Sequence, residues 1–84
     1  MKEKFMATIN EAIDNGTEIF ITMESGLNAV SVTIIPTSID EGDSSVVIYA
    51  GTDMFVIDTE MISYDNDEFL FVNKENTSLV TISA

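Results

Sequence analysis

Residues 45–59, SVVIYAGTDMFVIDT, contain two β-prone runs separated by Gly51, Thr52 and Asp53. Apolar side chains occupy most positions of both runs, and two such runs around a short Gly-containing turn are typical of a β-hairpin. Because both faces of each strand are mostly apolar, we expect this hairpin inside a sheet that is covered on both sides. The same reasoning assigns Val56 to the core, together with Phe71 from a later strand.

The N-terminal segment is predicted to be an amphipathic helix. From Lys2 to Asn15 apolar side chains recur at helical spacing, and Gly16 follows at a position where glycine commonly ends a helix. A single short helix gains most of its stability from tertiary packing, so we expect it to lie on the sheet. Its apolar face comprises Phe5, Met6, Ile9, Ala12 and Ile13.

Two further hairpins are predicted, one on each side of the central one along the chain. Each consists of two runs in which apolar and polar side chains alternate around a polar turn. The first pairs residues 17–23 with 29–35, and the last pairs residues 68–73 with 77–82 around a turn at 74–76. Together with the central hairpin they give about six strands.

Two connections join these hairpins. Pro36 ends the second strand, and residues 37–45 are interpreted as an acidic connection. Residues 60–64 fit either a bent strand or a short turn, and we favour the strand. The chain is therefore predicted to be one α+β domain over residues 1–84. An N-terminal helix packs on a curled, mostly antiparallel sheet of about six short strands, which is either open or closed into a small, partly open barrel.

Charge is the most unusual property of this chain. Fifteen acidic residues face three lysines, with no histidine, for a formal net charge of −12. The lysines, Lys2, Lys4 and Lys74, all lie near the chain ends. A surface of this charge repels nucleic acid and anionic membranes, because binding to either depends on cationic side chains. The partners that it favours are basic proteins or cations.

The residue types present argue against an enzyme. Histidine and cysteine are absent, which removes the commonest acid–base residue and the thiol nucleophile, and also excludes a thiolate metal site. A domain of 84 residues leaves little room for a cleft between paired carboxylates. We therefore expect a non-enzymatic protein without a cofactor. Since the N-terminus lacks the uninterrupted apolar segment of a secretion signal or membrane span, we also expect a cytoplasmic protein with no membrane partner.

Two acidic segments resemble halves of a calcium-binding loop. One contains Asp40, Glu41 and Asp43 around Gly42, and the other contains Asp65, Asn66, Asp67 and Glu68. Neither has the complete ligand spacing of such a loop. We favour solvated turns over metal sites, because Asp, Asn and Gly are the residues that turns need.

Two functions of different classes fit these features. The first is an acidic binding module whose carboxylates mimic nucleic-acid phosphates and thereby block a basic nucleic-acid-handling protein. In size and charge the chain resembles phage-type inhibitors such as anti-CRISPR and anti-restriction proteins. The predicted partner-binding residues are acids in turns, namely Asp40, Glu41, Asp43, Asp53, Asp65, Asp67 and Glu68.

The alternative function is that of a structural or self-associating module whose charge serves only solubility. Apolar residues on both sides of several predicted strands exceed what one helix can cover. Burial of that surplus between two copies would favour a homodimer.

Overall fold

The computed structural model describes residues 1–72 and 78–84, which form one helix and two antiparallel sheets. The α+β class predicted from the sequence is confirmed, whereas the turn predicted at 74–76 lies outside the described residues. No helix in this part of the chain combines the length and apolar character needed to cross a membrane. The elements are α1 (Lys2–Asn15), β1 (Ile19–Ser25), β2 (Asn28–Ile34), β3 (Ser38–Glu41), β4 (Ser45–Ala50), β5 (Asp53–Asp58), a 3-10 turn η1 (Thr59–Met61), β6 (Ile62–Asp65), β7 (Glu68–Val72) and β8 (Ser78–Ser83).

Helix α1 begins and ends where the periodicity predicts. Gly16 adopts the left-handed conformation, with φ 64°, that ends helices at glycine without steric cost. The ring of Phe5 lies edge-on against those of Phe69 and Phe71, with 5.2 Å between ring centroids in each pair. The helix is therefore held against the larger sheet by aromatic packing, and its buried residues are Phe5, Ile9 and Ala12.

The strands form a five-stranded sheet in the order β2-β1-β8-β7-β6 and a three-stranded sheet in the order β3-β4-β5. The three predicted hairpins correspond to the pairs β1–β2, β4–β5 and β7–β8. Residues 35–37 bend the chain from β2 into β3, and η1 bends it from β5 into β6. The six predicted runs correspond to β1, β2, β4, β5, β7 and β8, while β3 and β6 are additional short strands. The two sheets curl around a shared core without closing into a barrel.

The prediction of a connection over residues 37–45 is partly wrong, because Ser38–Glu41 forms β3. This segment carries one apolar side chain, Ile39, so the sequence shows no alternation of apolar and polar residues that would indicate a strand. Antiparallel pairing with β4, from Ser38 opposite Tyr49 to Glu41 opposite Val46, makes it a strand. Both structures considered for residues 60–64 occur: the first of these residues belong to the turn η1, and the others begin the strand β6.

The central hairpin supplies the middle strand, β4, and one edge strand, β5, of the smaller sheet, and it does not lie in a sheet covered on both faces. Among the described residues, β5 pairs only with β4. Its Ile57 is buried, but Met54 and Val56 are 60% and 63% exposed, so the assignment of Val56 to the core is wrong. Phe71 is buried as predicted. Both faces of β5 are apolar, and a pattern of this kind does not indicate which face is covered.

Candidate partner-binding surface

The first turn of α1 lies against the turn between β3 and β4. Lys2 Nζ donates hydrogen bonds to the carbonyl oxygens of Gly42, at 2.6 Å, and of Asp43, at 3.4 Å. The same Nζ lies 3.8 Å from Glu41 Oε2 in an ion pair whose side chains are 27% and 56% exposed. An exposed pair of this kind contributes at most about 1 kcal/mol. The contacts of Lys2 therefore serve mainly to position the turn between β3 and β4 against α1.

A second contact joins the same helical turn to the hairpin of β6 and β7. Lys4 Nζ lies 3.6 Å from the centre of the Tyr64 ring, a cation–π geometry. The Tyr64 hydroxyl donates to Asp67 Oδ1 at 3.0 Å. Asn66 and Asp67 form the two-residue turn with φ angles of 50° and 65°, as type I′ turns require. Both acidic turns thus lie beside the first turn of α1.

Two acids that the sequence analysis misses also lie here. Asp58 Oδ1 accepts a hydrogen bond from the Glu60 backbone N–H at 3.0 Å and so caps η1. The Thr59 backbone N–H donates to the Ser44 carbonyl oxygen at 3.0 Å, which places η1 against the turn between β3 and β4. An Asp immediately before a helical turn is a capping signal that could have identified this position.

We name the surface formed by these turns the acidic end. Of the predicted residues, Asp40 and Asp53 do not belong to it. Asp40 precedes Glu41 on β3 and therefore points to the opposite face of the sheet. Asp53 pairs with Ala50 at one end of the β4–β5 ladder, whereas Asp58 lies at the other end. The members of the acidic end are Glu41, Asp43, Asp58, Glu60, Asp65, Asp67 and Glu68.

The acidic end is a surface of exposed carboxylates. Within residues 1–72 and 78–84, no group of three or more acidic side chains is arranged to hold a metal ion. The side chains at the acidic end are exposed, and exposed carboxylates accept charge-assisted hydrogen bonds from lysine and arginine. Within the chain, Lys2 forms an ion pair with Glu41, and Lys4 contacts the ring of Tyr64, whose hydroxyl donates to Asp67.

Two tyrosines are coupled to nearby acids. A hydrogen bond to Asp40, followed by burial and by the negative charge of Asp40, raises the pKa of Tyr49 above its ordinary 10.0. A hydrogen bond to Asp67, with the same lesser causes, raises the pKa of Tyr64 in the same direction. In each pair the carboxylate stabilises the neutral phenol and opposes its ionisation.

Titration of phenolate absorbance checks this coupling. We expect Asp67→Asn to lower the pKa of Tyr64 towards 10.0 and to leave that of Tyr49 raised, so that Tyr49 serves as an internal control. Because both folded-state pKa values exceed the unfolded ones, their contribution to stability is present below pH 10 and is lost as the pH rises through the folded values. A Tyr64 pKa that is unchanged in Asp67→Asn would place Asp67 away from the hydroxyl.

Comparisons with known proteins identify no relative. No protein-family model matches the chain, and neither a curated protein nor a solved structure is significantly similar to it.

Proposed function

We propose that this protein is a non-enzymatic acidic binding module that occupies the nucleic-acid-binding surface of a basic partner protein. Its carboxylates would take the place of phosphates, as in a phage-type inhibitor of the anti-CRISPR or anti-restriction kind, acting in the cytoplasm. The observation that carries the proposal is the acidic end, where the β3–β4 turn and the β6–β7 hairpin contact the first turn of α1 and η1 is hydrogen-bonded to the β3–β4 turn.

The seven carboxylates of the acidic end outnumber Lys2 and Lys4, the two described lysines that lie beside it. Lys2 and Lys4 are engaged with the chain's own turns, and Lys74 lies outside the described residues. With a net charge of −12, the protein attracts cationic surfaces over a distance that depends on salt. The same field opposes direct binding of nucleic acid to this chain.

The salt dependence of association tests this proposal. For a basic protein captured from a native lysate by the immobilised chain, we expect the association rate constant to fall about tenfold or more when the ionic strength rises from about 0.01 M to about 0.15 M. The reason is that electrostatic steering weakens as the Debye length shortens. A rate constant that does not change with salt would contradict the proposal.

Self-association is the second candidate, and one apolar surface favours it. The outward face of the larger sheet carries Phe20, which is 49% exposed, and the half-buried Leu70, Val72 and Leu79. Pairing two copies through this face would remove apolar surface from water. If this candidate is correct, light scattering at high micromolar concentration will give twice the monomer mass of 9.2 kDa. A strict monomer in high salt, where charge repulsion is screened, would exclude it.

A further inference from the structure

We propose that strand β5 and the apolar cleft beside it bind an extended segment of the basic partner in which apolar and basic side chains alternate. This inference rests on the proposed function, since it describes how the same partner would be held. We define the β5 cleft by its lining residues Val56, Ile57, Asp58, Phe71, Val72, Ser78 and Val80.

Strand β5 has the features of a strand that accepts another. Among the described residues it pairs only with β4, so its second edge has backbone N–H and C=O groups without a strand partner there, and Val56, Ile57 and Asp58 of this strand line the cleft. An extended peptide can bind such an edge through main-chain hydrogen bonds. Met54 and Val56, which flank this edge on the outer face, are mostly exposed and offer apolar contact to the added strand.

The cleft continues into the uncovered part of the core. On the inner face of the larger sheet, the neighbouring side chains Ile21, Ile82 and Phe69 are 1%, 0% and 2% exposed. One step further along the strands, Val80 is only half-buried, and Val30 is 54% exposed. Val80 and Val30 therefore mark an end of this inner face that the described residues leave partly uncovered, although Phe71, which pairs with Val80, is buried against Phe5.

Two adjoining cavities occupy this uncovered end. The β5 cleft has a volume of about 170 Å³. A second cavity of about 260 Å³ lies between Met23, Val30 and Leu79, and it shares Val80 and Ser78 with the cleft. Together they form a mostly apolar opening that is wide enough for valine- or leucine-sized side chains of an added strand.

Charge indicates which kind of segment fits. The charged residues that line the two cavities are both acidic, Asp58 in the cleft and Glu24 in the second cavity. Asp53 adds a third carboxylate at the opposite end of β5. In an added strand, successive side chains point to opposite faces. Apolar side chains would enter the cleft, while lysine or arginine stems would lie along Met54 and Val56 with a charged group near Asp58, which shares their face of β5.

A second copy of this chain is a poorer occupant. Antiparallel pairing of two β5 strands would bring the Asp53 end of each copy beside the Asp58 end of the other. Like charges at neighbouring positions of paired strands are unfavourable. The net charge of −12 on each copy adds to this repulsion.

A pair of synthetic peptides tests the inference on the intact protein. One alternates lysine and valine, and the other has the same composition with all lysines followed by all valines. We expect the alternating peptide to shift the NMR signals of the Asp53–Asp58 backbone amides and to bind about tenfold more tightly, equivalent to about 1.4 kcal/mol. Equal binding of both peptides, or shifts confined to the amides of Glu41, Asp43 and Asp65–Glu68, would overturn the inference.

The variant Val56→Asp separates strand addition from simple charge attraction. It adds a negative charge but removes an apolar contact beside the cleft, so we expect the alternating peptide to bind about tenfold more weakly. If charge alone holds the peptide, binding will be unchanged or tighter, and the inference fails. Thr33→Asp, at an exposed position of β2, is the matched control with the same added charge. Val56→Thr, which adds no charge, replaces Val56→Asp if thermal unfolding shows that the latter does not fold.

The outcomes also separate this inference from the proposed function. If reversing charges at the acidic end slows association with the captured basic protein while Val56→Asp binds the alternating peptide normally, the function stands and the β5 inference fails. If the alternating peptide binds as expected but the charge reversals leave association with the protein unchanged, the role of the acidic end fails. If the β5 amide signals shift with protein concentration and not with peptide, a second copy occupies the cleft and the inference is overturned.

Discussion

Phe5→Ala is expected to lower the free energy of unfolding by about 3–5 kcal/mol, the usual cost of removing a buried aromatic side chain. Phe5 is fully buried, and its ring contacts both Phe69 and Phe71. The substitution removes the aromatic packing that joins α1 to the larger sheet. Because the whole stability of a small domain is about 5–15 kcal/mol, the variant should lose most of its resistance to urea. Urea unfolding followed by circular dichroism measures this change.

Val56→Ala is the control for this measurement. Val56 is also an apolar residue in a strand-like pattern, but it is 63% exposed. We expect its replacement to change the free energy of unfolding by only about 0.5 kcal/mol. A loss as large as that of Phe5→Ala would mean that Val56 is in the core, and the exposed edge of β5 on which the peptide test depends would then be wrong.

Reversing two charges at the acidic end should slow association with a captured basic protein by about tenfold or more at low salt. Asp65 and Glu68 suit this test because they lie opposite each other on β6 and β7, are exposed, and make no contact with Lys2 or Lys4 among the interactions described above. Asp65→Lys with Glu68→Lys removes attraction at the place where the partner is proposed to bind. Stopped-flow association kinetics give the rate constant, and the unfolding free energy should stay within about 0.5 kcal/mol.

A matched double variant on the helix controls for net charge. Glu11→Lys with Asp14→Lys also replaces one Glu and one Asp by lysine at exposed positions, but in the C-terminal half of α1. We expect it to reduce the association rate constant much less than the variant at the acidic end. If both double variants slow association equally, the total charge of the chain matters and the convergence of the turns does not.

Most of the fold could be predicted from local sequence patterns. The predictions that are wrong concern segments whose structure depends on contacts with distant parts of the chain. The helix and the three hairpins follow from apolar periodicity, with Gly16 ending the helix. The segment containing Ile39 becomes a strand only because β4 lies beside it, which one apolar residue cannot indicate. The assignment of Val56 to the core is wrong because β5 carries apolar residues on both faces, and only the arrangement of the two sheets shows which face is covered.

The candidate site was predictable only in part, for a related reason. Acidic turns can be identified from their composition, but their convergence depends on the bends at residues 35–37 and at η1. These bends bring the turn containing Asp43 and the turn containing Asp67 to the same end of the molecule, and they leave Asp53 at another. The contacts of Lys2 and Lys4 with these turns are long-range and have no local signal in the sequence.

Competition between this protein and nucleic acid for one basic partner tests the proposed phosphate mimicry most directly. A fluorescently labelled DNA or RNA duplex is bound to the captured basic protein, and its anisotropy is followed as this protein is added. We predict complete displacement of the duplex, with the Asp65→Lys, Glu68→Lys double variant requiring a higher concentration than the Glu11→Lys, Asp14→Lys control. A duplex that stays bound while this protein joins the complex would contradict the mimicry.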